Sequence, residues 1–295
     1  MLATSYHAKL LLWGEHIVIH GAEALATPLP IYSGHWEQQA DGDHRRLIPF
    51  LNYLQTEGMD KLLDLDGFHK SIEENWVFAS DIPGGYGLGS SGALCAAIYD
   101  AFALDKIGVD DESRYAELKA LLGKMEGYFH GASSGTDPLI SYLDQSALLG
   151  SSGIRTVDWH IPGSGSEFRF FLLDTGIRRQ AGDFIAYFLE KNRQIPFQQQ
   201  LASTLLPANA AAIQLTLEEN YPALMPVFHR ISAFQLQDLP GLVPKGFETI
   251  WEEGLSGDVF KLKICGAGGG GFILGFTRNF ERTRALLPGY SLLLL

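Results

Sequence analysis

Asp81-Ile82-Pro83-Gly84-Gly85-Tyr86-Gly87-Leu88-Gly89-Ser90-Ser91-Gly92 is the stretch on which the reading of this chain turns. It follows WVFAS (76–80), which reads as a strand, and precedes ALCAAIYDAFAL (93–104), which reads as a helix. Glycines let a backbone curl until several N–H groups face one point, and a helix starting there turns its positive end to the same point. That is a cradle for an anion, and the Ser90 and Ser91 hydroxyls can bond phosphate or a magnesium ion. The alternative is an ordinary strand-to-helix turn, against which stand five glycines and two serines within nine residues, 84–92.

Two other nucleotide motifs compete. Gly87, Gly89 and Gly92 fit G-x-G-x-x-G, the dinucleotide fingerprint, and so do Gly266, Gly268 and Gly271. The second match is followed by the strand-like FILGF rather than a helix, and the first comes after a Pro83-Gly84-Gly85 insertion. The Walker pattern is absent.

Three further groupings carry chemistry. Glu126 lies near the end of a predicted helix (112–129), and Asp137 is expected to cap the next, with Pro138 at its first position. Two carboxylates facing one turn can share phosphoryl transfer: one binds Mg²⁺ and the other accepts or orients a hydroxyl proton. A solvated helix-end Glu and a structural cap Asp are the alternative. Glu126 and His130 are also spaced i,i+4, as in a metal pair, with no third ligand evident. Lys9, before an apolar run, is either a solvated strand end or an inward cation that neutralises transferring phosphate. After it, Gly14-Glu15-His16 reads as a turn between two strands over 8–20, placing His16 and His20 on one strand face. Finally, Gly266-Ala267-Gly268-Gly269-Gly270-Gly271 implies close approach of something to backbone, or else a flexible hairpin.

Composition sets the outer limits. The chain has 295 residues, 46% hydrophobic and 19% charged, which suits one large or two medium globular domains. A net charge of −12 argues against nucleic acid and anionic membrane surfaces as partners. Two distant cysteines, Cys95 and Cys265, suit a reducing cytoplasmic setting, and no signal or membrane-spanning segment is evident. The polar run 36–46 reads as a loop, 47–70 as helical, 183–235 as helical with a break near Pro207, and SLLLL (291–295) as closing a buried strand. The loop-forming PGSGS (162–166) is the expected linker, dividing the chain into domains 1–165 and 166–295.

Taken in order, K-L-L-L-W-G-E-H-I-V-I-H-G, I-P-G-G-Y-G-L-G-S-S-G-A and K-I-C-G-A-G-G-G-G-F resemble the three signatures of the GHMP kinases. That superfamily includes galactokinase, homoserine kinase, mevalonate kinase and phosphomevalonate kinase. E-G-Y-F-H-G-A-S-S-G-T-D and Leu173-Asp174-Thr175-Gly176 are most similar to mevalonate kinases. The resemblance implies an α+β fold. Its N-terminal ATP-binding domain would resemble the second domain of a ribosomal small-subunit protein, and its C-terminal domain would be ferredoxin-like.

The resemblance also implies roles. Asp137 would be the catalytic carboxylate and Lys9 its charge partner. Pro83, Gly85, Gly87, Leu88, Gly89, Ser90, Ser91 and Gly92 would wrap the ATP phosphates, and Ser91 and Glu126 would hold Mg²⁺. Glu15, His16, Gly268 and Gly269 would lie on the substrate side. The implied reaction is ATP- and Mg²⁺-dependent phosphorylation of a small-molecule hydroxyl, with mevalonate the first candidate acceptor. Phosphomevalonate, a sugar, an amino-alcohol, or a non-catalytic nucleotide sensor are the alternatives. A homodimer is compatible with all of these. The sequence departs from the family pattern at Ser91-Gly92-Ala93 (for S-S-A), at Ser134-Gly135-Thr136-Asp137-Pro138 (for S-G-I-D-N) and at Arg178-Arg179-Gln180 (for R-S-T).

Overall fold

The computed structural model describes residues 4–39, 47–163, 165–178 and 181–295. Residues 40–46 of the expected loop, Ser164 of the expected linker, and Arg179 and Gln180 lie outside these.

Alternation in SYHAKLLLW builds β1 (Ser5–Trp13): Tyr6, Ala8, Leu10 and Leu12 face the core, while Lys9 shares the other face with His7, Leu11 and Trp13. The expected second strand after it does not form. His16 takes φ 66 and Val18 N–H donates to Gly14 O, so Ile17–His20 closes into a 3₁₀ turn ended by left-handed Gly21. His16 and His20 therefore share no strand face. The long β2 (Ala24–Gln38) runs through Pro28 and Pro30, and its last residues 36–38 extend into what the sequence suggested was loop.

Amphipathic α1 (Leu47–Thr56) and α2 (Leu65–Glu73) lead to β3 (Trp76–Ser80). The small-residue helix α3 (Ser90–Phe102), α4 (Tyr115–His130) and α5 (Thr136–Leu143) follow. β4 (Ala147–Gly150) and β5 (Gly153–Thr156) complete a five-stranded antiparallel sheet. α3 lies against β1 and α5, burying Ala93, Cys95, Ala96 and Ala97 completely.

The chain after residue 168 makes a second antiparallel sheet. β6 (Arg169–Asp174) is followed by α6 (Ala181–Lys191), α7 (Ile195–Gln200), α8 (Leu206–Leu217), α9 (Tyr221–Asp238) and α10 (Glu248–Ser256). β7 (Phe260–Ile264), β8 (Phe272–Thr277), α11 (Phe280–Leu286) and β9 (Ser291–Leu294) complete it. Its strand order, β7-β8-β6-β9, is ferredoxin-like. The expected helix break at Pro207 is absent: a π-helical turn at Leu201–Leu205 joins α7 to α8 and absorbs the proline's missing donor. β9 is an edge strand, half-buried rather than buried.

With both sheets antiparallel, the strand-loop-helix around Gly87 is not a parallel dinucleotide-binding unit. Cys95 and Cys265 are buried thiols. No helix of the described residues is long and apolar enough to cross a membrane.

Candidate active site

Between β3 and α3 the backbone alternates. Gly85, Gly87 and Gly89 take left-handed φ values of 81, 77 and 78°, which only glycine adopts without strain. Alternation of this kind turns successive N–H groups to one side, forming an anion nest at the N-terminus of α3, where Gly89 is the cap. Pro83, Gly85, Gly87, Ser90 and Ser91 are accessible, whereas Leu88 is buried and anchors the loop. Leu88 O also accepts from Lys9 N–H at 2.8 Å, tying the nest to β1.

Lys9 points inward. Its side chain is 5% exposed and its Nζ is 2.7 Å from Asp137 Oδ1. A Cβ on Gly89 would stand 3.3 Å from Asp137 Cβ and 3.6 Å from Lys9 Cβ, so the ion pair sits directly behind the nest. The solvated-strand-end alternative for Lys9 does not hold. Asp137 is not the helix cap the sequence suggested. Left-handed Gly135 caps α5, and Asp137 lies in its first turn, with Pro138 one residue further in. Gly92 of α3 faces the same turn, and a Cβ there would meet Pro138 N at 2.7 Å. Two departures from the family pattern, Gly92 and Pro138, are thus one contact.

Glu126 is buried on α4, not solvated at its end. Ser91 Oγ donates to its Oε1 at 2.9 Å, and Ser133 Oγ donates to its Oε2. Burial, and after it the nearby Asp137 charge, push the Glu126 carboxyl up to about 7, against the two hydroxyl donors and Lys9. The buried Glu126 and the half-buried Asp137 carboxylates therefore lie close together, with Lys9 the cation that acts on both. A carboxylate and a hydroxyl oxygen are hard donors, and the excess negative charge fits a divalent cation. Among the described residues no group of three or more His, Cys, Asp or Glu could hold a metal. A cation here would rest on at most two side chains of those types, with hydroxyl and other oxygens completing its shell.

The substrate-side residues divide. Glu15 is buried against Lys263 of β7 in a hydrogen-bonded ion pair, with side chains 3% and 0% exposed. Burial raises its carboxyl, and Lys263 is the largest opposing influence. Lys263 also donates to Ile264 O at 2.8 Å and lies 5.5 Å from the Trp13 ring centroid. His16 is half-exposed, stacked on Phe188 of α6 at 5.0 Å, with Nε2 3.1 Å from Ala267 O.

The second glycine loop is neither a flexible hairpin nor open for close approach all along its length. Cβ atoms on Gly268, Gly269, Gly270 and Gly271 would strike Leu242 O, the Phe184 ring, Ile177 O and the Tyr86 backbone. The protein's own packing requires these glycines. The Tyr86 and Phe272 rings meet at a tilt with centroids 5.0 Å apart, which joins the Gly85–Gly89 loop to this one. Ser133, Tyr86 and Lys263 escaped the sequence reading. Each stood inside a quoted motif, Ser133 in E-G-Y-F-H-G-A-S-S-G-T-D, Tyr86 in the Asp81–Gly92 stretch and Lys263 at the head of K-I-C-G-A-G-G-G-G-F, but nothing local showed what each would meet.

The sequence model described as the GHMP kinases N-terminal domain matches residues 52–145. A mevalonate kinase of Archaeoglobus fulgidus is 25% identical over 292 residues, covering 94% of this chain and 93% of that protein. Among solved structures, Methanococcus jannaschii mevalonate kinase superposes with a TM-score of 0.64 at 14% identity, over 99% of this chain and 97% of its own. Lactococcus lactis galactokinase, complexed with galactose, reaches the same TM-score of 0.64 at 12% identity, over 98% of this chain and 92% of its own. The fold is therefore shared across enzymes with different acceptors, and the resemblance read from the three signatures is borne out.

Proposed function

We propose that this chain, which has the GHMP kinase fold and carries that family's N-terminal domain, moves the γ-phosphate of ATP onto a small-molecule hydroxyl, with mevalonate as the acceptor. The observation that carries the reading is the Lys9–Asp137 pair, 2.7 Å apart behind a glycine nest at a helix N-terminus.

In this reading Pro83, Gly85 and Gly87–Gly92 wrap the ATP phosphates, with backbone N–H groups of the nest and of the first turn of α3 as donors. Asp137 accepts or orients the acceptor's hydroxyl proton. Lys9 holds Asp137 and offsets charge on the equatorial oxygens of the transferring group. Phosphoryl transfer passes through a loose transition state, so placement of these charges supplies most of the rate. Ser91 and Glu126 would hold Mg²⁺, which neutralises phosphate charge when bound; Ser133 fixes the Glu126 carboxylate from its other side.

The acceptor lies toward His16 and the loop at Gly268 and Gly269, between halves divided near residue 165. Glu15 acts there through Lys263, fixing the Gly14–His16 turn against β7, rather than by touching substrate. A cytoplasmic setting suits the two buried thiols.

Coupled ADP detection on a panel of mevalonate, phosphomevalonate, galactose and amino-alcohols tests the proposal. ADP release with mevalonate, exceeding that with the other acceptors, is the expected result. Release with another acceptor alone would reassign the substrate. Tight ATP binding with no release on any acceptor would make the chain a nucleotide sensor.

A further inference from the structure

Glu126 and His130 are one helical turn apart on α4, so both side chains project from one face near its C-terminal end. Ser91, from the first turn of α3, lies between them. Its Oγ is 2.9 Å from Glu126 Oε1 and 3.0 Å from His130 Nε2. Octahedral coordination at roughly 2.0–2.1 Å sets neighbouring ligand atoms about 2.9–3.0 Å apart. The two hydrogen-bond lengths are therefore also the edges of a coordination octahedron. A cation could replace the bridging protons with little movement of heavy atoms. His130 is exposed, its ring tilted against that of Phe129 with centroids 6.4 Å apart, and its Nε2 is turned to Ser91.

We propose that His130 is a third protein ligand of the divalent cation, beside Ser91 and Glu126, giving a site with two oxygens and one nitrogen. This rests on the reading of Ser91 and Glu126 as a cation site. A nitrogen donor changes which ion is favoured. Mg²⁺ prefers oxygen ligands and keeps its waters, whereas first-row transition ions accept a nitrogen donor more readily, Co²⁺ more so than Mn²⁺. The site then holds Mn²⁺ or Co²⁺ better, relative to Mg²⁺, than carboxylate and hydroxyl alone would. The remaining positions stay open to phosphate oxygens and water.

The test reads the metal rather than turnover. The full chain, labelled with ¹⁵N-histidine, is mixed with Mn²⁺ and ADP and examined by pulsed EPR. A ¹⁵N coupling of directly bound imidazole is expected, and it disappears in His130→Gln while Mn²⁺ stays bound. Mn²⁺ affinity should fall about tenfold in that variant, as for loss of a group that orders a metal site. Mg²⁺ affinity, measured by competition, should change less than about threefold, since Mg²⁺ gains little from nitrogen. Bound Mn²⁺ without ¹⁵N coupling, or coupling that survives His130→Gln, overturns the proposal; the former leaves His130 orienting Ser91 by a hydrogen bond. Mn²⁺ binding that ignores Glu126→Gln sinks instead the cation site on which the proposal stands.

Discussion

Replacing Gly92 with alanine adds one methyl group at a point where this chain has no space for it. The new Cβ would lie 2.7 Å from Pro138 N, 2.8 Å from Asp137 C and 2.9 Å from Asp137 Cβ, all inside the 3.0 Å that real Cβ contacts respect. Two of these three are backbone atoms, so no side-chain rotation relieves the clash. α3 cannot retreat, because Ala93, Cys95 and Ala96 beside Gly92 are fully buried. The first turn of α5 must move, and it carries Asp137.

Alanine is better than glycine in a helix by about 1 kcal/mol, whereas overpacking a tight core costs about 1–3 kcal/mol. The net destabilisation is therefore modest, roughly 1 kcal/mol, or a few degrees in Tm. The kinetic effect should be larger. A misplacement near 1 Å can cost about a hundredfold, so a shift of several tenths of an ångström should lower kcat by roughly tenfold or more. KM for ATP should change less, since Gly85, Gly87 and Gly89 are untouched. Steady-state ADP release and thermal unfolding measure both effects. Gly108→Ala, where a Cβ would meet nothing within 4 Å, is the control. A Gly92→Ala enzyme with wild-type kcat and Tm would refute the claim that this contact positions Asp137.

Asp137→Asn should leave ATP binding nearly intact by calorimetry while cutting kcat by roughly 10²–10⁴-fold; near-normal turnover would remove Asp137 from the reaction. Glu126 gives a pH dependence. Its folded carboxyl titrates near 7 against an ordinary 4.5, so a cation must displace a tightly held proton below that value. Divalent-cation affinity should rise with pH and level off above about 7. By the same linkage, the metal-free protein is most stable below the ordinary carboxylate value and loses that increment as pH rises through about 7. Glu126→Gln should flatten both curves. Lys263→Met leaves the Glu15 carboxylate buried without its partner and should cost about 3–5 kcal/mol in denaturant unfolding. Adding Glu15→Gln should recover most of that loss, and a single-variant cost below about 1 kcal/mol would mean the pair does not hold the Gly14–His16 turn against β7.

Local sequence carried a great deal. Glycines at 85, 87 and 89 marked a loop whose backbone must curl, and the structure gives all three left-handed φ values. The apolar strand of β1 and the small-residue helix α3 were legible because strand and helix preferences act over a few residues. The failures were also local: the turn at Ile17–His20, where left-handed His16 bent an apolar run out of a strand, and the π turn that carries a helix through Pro207.

What the sequence determined by itself, then, was the menu of elements and the chemistry that each loop could support. Tertiary structure alone decided which groups meet. Glu15 finds Lys263 from the far end of the chain, Gly92 meets Pro138, and Ser91 stands between Glu126 and His130. Burial beside Asp137 moves Glu126 from an ordinary carboxylate to one that holds its proton near neutrality. Spacing along the chain encodes backbone conformation, which is a short-range property. Desolvation and charge pairing depend on what folding brings together, and no run of neighbouring residues specifies that.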